Sequence, residues 1–172
     1  PTRNPDMIAM IPDGAIVTME NLPIAYSATR MELMLPYRMV GARLGLAIAP
    51  LTASTLGEGL TLLGTRLARE GNTQTVDGLW RVESRMPPPI SISAHLYSPR
   101  GEFLDANDGL DIGPELWVAG LQFVQSHTLR IPSNAEPGEY PVLLGLYRLD
   151  DGTRYTTAAG TDAVQVGVFT VD

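Results

Sequence analysis

The sequence predicts an all-β fold, an antiparallel Ig-like or jelly-roll-type β-sandwich preceded by a short irregular region with one small helix. Two observations predict it. The 172 residues include 17 glycines and 14 prolines, spread as punctuation between short apolar runs. Many of those runs alternate apolar with polar residues, the period of a strand that has one buried face.

Taken in chain order, Gly14–Met19 is the first expected strand, and Ser27–Leu35 is the expected helix. Ala28, Met31 and Leu35 share a helical face there, and Pro36 ends the run. Arg43–Ala49 alternates with Leu44, Leu46 and Ile48 on one face. Leu60–Arg69 follows, with Gly64 as a bulge. Val76–Arg85 sets Trp80 and Val82 against Asp77, Arg81, Glu83 and Arg85. Pro87–Pro89 stops that strand, because proline has no N–H to give a ladder. Ile90–Tyr97 alternates again, with Ile90, Ile92, Ala94 and Leu96 inward.

Leu121–Leu129, Tyr140–Leu149, Arg154–Thr157 and Ala163–Val171 complete the expected strands. Tyr140–Leu149 is apolar on both faces, as a central strand should be. Asp150-Asp151-Gly152 reads as a hairpin of type I′, which wants positive φ at its central residues. In Leu129–Tyr147, Pro137-Gly138-Glu139-Tyr140 opens a strand after a loop. Tyr140 stands where a tyrosine corner would return its hydroxyl to that loop. Tyr140, Gly138, Trp80 and Gly152 are therefore the expected structural residues. The division expected is an irregular segment over 1–50 and a sandwich over 51–172. Six of the seven methionines fall in the first 50 residues, a pattern of interior packing or of an adaptable partner surface.

Composition narrows function. A chain this long buries roughly 70% of its unfolded surface and needs no staples. It has no cysteine, which removes disulfides, thiolate metal sites and a thiol nucleophile. Twelve basic residues, all arginine, face 19 acidic ones, for a formal charge of −7. Such a surface repels phosphate backbones, so nucleic acid is not an expected partner. No apolar run reaches the roughly 18 to 20 residues that span a bilayer, so no direct membrane insertion by this segment is expected. There is no signal-peptide pattern, and the chain opens on Pro1, which reads as a processed product or excised domain.

Candidate chemistry is sparse. Asp105, Asn107, Asp108 and Asp111 lie in a stretch read as an acidic loop, with hard oxygens of the kind calcium takes. The spacing is not that of an EF-hand, and Asx-Gly stretches are also ordinary turns. Trp117 follows a Gly-Pro turn, and with Tyr97 it is a candidate ligand or partner contact through aromatic stacking. His95 and His127 have no second ligand at metal-binding spacing. No G-x-S-x-G elbow or phosphate loop is present, and no lysine is available for a Schiff base. No cofactor beyond calcium is implied, and the chain is not expected to be an enzyme.

One resemblance adds to this. Leu62-Leu63-Gly64, Leu79-Trp80-Arg81, His95-Leu96-Tyr97 with Pro99-Arg100-Gly101, Gly113-Pro114-Glu115-Leu116-Trp117, Pro137-Gly138-Glu139-Tyr140 and Gly145-Leu146-Tyr147 occur in that order. The order resembles the C-terminal β-sandwich (Ig-like) accessory domain of Chloroflexi-type multi-pass membrane glycosyltransferase-like proteins, over roughly residues 57–171. The resemblance implies an extracytoplasmic location and an accessory role. The expected function is a non-catalytic extracytoplasmic module making protein or glycan contacts within a larger membrane or cell-surface assembly. The alternatives are a self-assembling protomer of a surface layer, filament or complex, and a glycan-acting enzyme with paired carboxylates.

Overall fold

The computed structural model describes residues 48–172. The expected strand Gly14–Met19, the expected helix Ser27–Leu35, the first six methionines and most of Arg43–Ala49 lie outside the described residues. The described chain forms eight strands: β1 (Ala49–Leu56), β2 (Leu60–Glu70), β3 (Thr73–Val82), β4 (Ile90–Tyr97), β5 (Phe103–Gly109), β6 (Gln122–Arg130), β7 (Gly138–Arg148) and β8 (Ala163–Val171). They build two antiparallel sheets, in the order β1-β2-β3-β6 and β5-β4-β7-β8. The chain changes sheet between β3 and β4, between β5 and β6, and between β6 and β7, as Greek-key sandwiches do. Among the described residues, no helix is long and apolar enough to cross a membrane.

Alternation explains the packing. In β4, Ile90, Ile92, Ala94 and Leu96 are all buried between the sheets. They meet Trp80 and Phe123 from the facing sheet, which are paired across β3 and β6. Burying each of the large aliphatic side chains contributes about 1.5–3 kcal/mol. β2, β4 and β8 form where the residue pattern places them. The β2–β3 register shifts between Leu62 and Gly64, so the expected bulge is present. Met86, the one described methionine, is buried in the core beside Gly59.

The opening of β7 carries the corner. Tyr140 is 1% exposed, and its hydroxyl donates to the Glu136 carbonyl at 2.7 Å. Gly138, just before it, has φ +153, and a Cβ there would come 2.6 Å from Pro99 Cγ. The residue must therefore be glycine on grounds of both conformation and space.

Two expectations are corrected. The Asp150-Asp151-Gly152 turn is not type I′. Only Gly152 has positive φ, at +71°, and its N–H donates to the Arg148 carbonyl at 3.0 Å. The result is a longer loop closed by one left-handed glycine. Arg154–Thr157 is not a strand but an isolated bridge between Tyr147 and Arg154. β8 pairs with β7 only as far as Gly145, so the segment touches the end of β7 at that one bridge and then leaves to the other sheet, where Thr156 accepts from the Gly57 N–H at 3.0 Å.

Tyr140→Phe removes the corner hydrogen bond and leaves the Glu136 carbonyl short of a donor. It is expected to lower stability by about 1–2 kcal/mol in urea unfolding, with no change in the far-ultraviolet spectrum.

Candidate functional site

The acidic stretch is where sequence and structure part most clearly. Most of it is not a loop but strand β5, at the edge of the second sheet. Asp, Asn and Gly are depleted in strands, so composition hides it. As a strand it sends successive side chains to opposite faces. Asp105 and Asn107, paired with Leu96 and Ala94 of β4, point toward the facing sheet. There the Asp105 carboxylate accepts the Arg130 N–H at 2.7 Å, and the Asn107 side-chain oxygen accepts the Thr128 N–H at 3.4 Å. Both donors belong to β6, the edge strand of the first sheet. The side chains thus join two sheet edges.

Asp108 points the other way, onto the open face, and Asp111 lies past the strand. Asp111 accepts from the Gln125 side-chain amide at 3.1 Å, and burial pushes its carboxyl pKa up against the effect of that bond. The four candidate calcium ligands therefore diverge. Among the described residues, no three His, Asp or Glu side chains converge to hold a metal.

Trp117 also departs from expectation. It is 4% exposed, packs against Phe123 with ring centroids 6.0 Å apart, and donates its indole N–H to the Ile112 carbonyl at 2.8 Å. The short 3-10 turn Pro114–Leu116 tucks it inward. It is a core residue and not an exposed stacking surface. Trp80 is fully buried, as expected.

Tyr97 belongs to a different group, which sequence reasoning did not assemble. The outer face of β5-β4-β7 presents Ser91, Ser93, His95 and Tyr97 from β4, Asp108 from β5 and Tyr147 from β7. Phe103, at the head of β5, pairs with Tyr97 and is 58% exposed. Its ring stands edge to face with His95 and with Tyr97, at centroid distances of 5.6 and 6.0 Å. The Tyr147 hydroxyl donates to Asp108 at 3.0 Å, and His95 Nε2 lies 3.6 Å from the other Asp108 oxygen. Arg154 reaches over the face beside Gly145, with its Nε 3.6 Å from Asp162. A Cβ on Gly145 would come 2.8 Å from Ser93 Oγ and 3.1 Å from the guanidinium, so glycine leaves room for that arm.

The electrostatics of the face are settled by partial burial. Desolvation lowers the His95 pKa, and the Asp108 charge only partly offsets it, so the imidazole is neutral near pH 7. Desolvation and the Asp108 hydrogen bond raise the Tyr147 pKa, and the phenol keeps its proton. The group offers a carboxylate acceptor, hydroxyls, a neutral imidazole and exposed aromatic surface. Its members lie on three different strands, and only β4 showed them as a period-two set.

Beneath this face, in the core, His127 is 1% exposed. Burial pushes its pKa down to about 4, against the raising effects of the Asn107 backbone, Asp108 and Asp77.

No family model matches the chain, and no curated protein matches it. Solved structures do show similarity. The C-terminal domain of wzt is 14% identical and aligns with a TM-score of 0.49, over 74% of this chain and 84% of that one. A calcium-binding mutant of Bacteroides uniformis β-glucuronidase 2 is 15% identical, with a TM-score of 0.35, over 62% of this chain and 12% of that one. The chain thus spans about an eighth of the second protein's length.

Two outcomes follow from this geometry. Asp105→Ala leaves the Arg130 amide without its acceptor. Hydrogen exchange at that amide should speed up by about tenfold, with a stability loss of about 1 kcal/mol. His127 is neutral when folded and titrates near its ordinary value when unfolded. Between pH 6.5 and about 4 the unfolded chain binds the extra proton. Stability should fall with decreasing pH across that window by up to ~3 kcal/mol. His127→Leu should flatten that part of the pH–stability curve.

Proposed function

We propose that this chain is a non-catalytic extracytoplasmic module that makes protein or glycan contacts within a larger membrane or cell-surface assembly. The contact surface in this reading is the outer face of β5-β4-β7. The observation that carries it is Phe103, a large apolar ring left more than half exposed yet fixed edge-on by His95 and Tyr97. Exposed aromatics held in one orientation cost little entropy on binding and are common anchors of recognition surfaces. In this reading the chain corresponds to the C-terminal accessory sandwich of Chloroflexi-type glycosyltransferase-like membrane proteins, which its motif order resembles. Tyr97 is the aromatic contact, and calcium has no part in it.

A second reading, a self-assembling protomer, is favoured by the opposite side of the sandwich. Among the described residues, β1 and β8 pair on one side only. A groove of about 610 Å³ runs between them, lined by Ala, Ser, Thr, Leu, Val and Gln residues and no charged one. Unpaired strand edges of this kind invite strand addition. Light scattering after size exclusion separates the two readings, since a monomer at all concentrations removes homomeric assembly.

The first reading is tested by retention on cell-envelope preparations. Phe103→Ala should reduce retention by about tenfold, while the unfolding temperature stays within about 2 °C of the parent. Equal retention of the two proteins would remove this face from consideration.

A further inference from the structure

Resting on the reading that the outer face of β5-β4-β7 is the contact surface, we infer that its ligand is a neutral oligosaccharide, one sugar ring stacked on Phe103 and hydroxyls of the chain bound by Asp108.

The aromatic part comes first. Phe103 is exposed, and its edge-to-face contacts with His95 and Tyr97 hold the ring in one orientation before any ligand arrives. Stacking on such a ring needs a flat C–H surface, which a pyranose presents. A protein partner of ordinary size needs about 800 Å² on each side with a contiguous apolar centre. Phe103 is instead a single exposed ring bordered by polar groups, a pattern closer to a small, hydroxyl-rich ligand.

The polar part selects among such ligands. An ionised carboxylate only accepts hydrogen bonds, and it has room for several. Asp108 receives one from the Tyr147 hydroxyl on one oxygen. Its side chain is 32% exposed, which leaves acceptor positions for ligand hydroxyls. Tyr147 fixes the carboxylate, as a recognition group must be fixed. His95, between Phe103 and Asp108, bridges the aromatic and polar ends.

Charge then decides against acidic sugars. Arg154, the guanidinium beside Gly145, has the Asp162 carboxylate 3.6 Å from its Nε and is shared with it. An incoming uronate or sialate would meet two carboxylates, Asp108 and Asp162, for the one guanidinium of Arg154, on a chain whose formal charge is −7. A carboxylate facing an unmatched carboxylate is repelled, which is specificity by exclusion.

The test is a printed panel of neutral and acidic oligosaccharides, followed by titration calorimetry. The probes for calorimetry are the best neutral oligosaccharide and the same oligosaccharide with one uronate replacing a hexose. The neutral sugar should bind at least about tenfold more tightly than the uronate form, and Phe103→Ala and Asp108→Asn should each weaken it by about tenfold. Unfolding temperatures of the variants confirm that they are folded. Binding of acidic sugars in preference, no binding of any neutral sugar, or equal binding by Phe103→Ala would overturn the inference. Its failure is distinguishable from failure of the contact-face reading. If no sugar binds but Phe103→Ala still abolishes envelope retention, the ligand class is wrong and the face is right. If that variant is retained like the parent, both fall.

Discussion

A strand delivers its side chains to alternate faces, and in this protein that constraint is enforced most heavily in β4. Ile90, Ile92, Ala94 and Leu96 complete the core. Each of the large ones is worth about 1.5–3 kcal/mol when buried, and the register that buries them places Ser91, Ser93, His95 and Tyr97 outside. Slipping β4 by one residue would turn histidine, tyrosine and two serines into the core and the aliphatics out of it. The stability of the sandwich and the presence of the polar-aromatic face are one requirement. β7 repeats the logic from the other side, with Tyr140, Val142, Leu144 and Leu146 inward and Tyr147 outward.

The fold was largely legible because its central strands announce themselves twice, by alternation and by punctuation. Ile90–Tyr97 is bounded by Pro88-Pro89 before and Pro99 after, and Ala163–Val171 follows a turn. Where either signal was missing, reading failed. β5 is built from Asp, Asn and Gly, whose preferences belong to turns. What makes it a strand is that β4 offers a free ladder and that Asp105 and Asn107 find backbone donors on β6, a tertiary fact no local pattern contains. Trp117 was misplaced for a similar reason, since a Gly-Pro turn usually lies outside, and only Ile112 and Phe123 show why this one folds in. The candidate site was half legible. Tyr97 was singled out as an aromatic contact and Asp108 as a calcium ligand, and their meeting through His95, Phe103 and Tyr147 depends on sheet order.

The two lateral sides of the sandwich are treated differently. On one, polar side chains of β5 reach two amides of β6, which are satisfied without a further strand. On the other, β1 and β8 flank an uncharged groove. A sandwich must deal with its edges, and here one side is bridged by Asx residues of β5, while on the other Thr65 and Arg69 of β2 donate to the Val166 and Thr170 carbonyls of β8. The side bridged by Asp105 and Asn107 is also the side of Phe103 and Asp108, since all four stand on β5.

Asp108 has a role that reaches through the sheet. Its charge raises the proton affinity of His95 on the face and of His127 in the core, and its hydrogen bond with Tyr147 raises that phenol's affinity as well. Any ligand that spends this carboxylate's acceptor capacity, or screens its charge, weakens its hold on all three protons. One carboxylate thus acts at once on an imidazole of the open face and on another buried between the sheets.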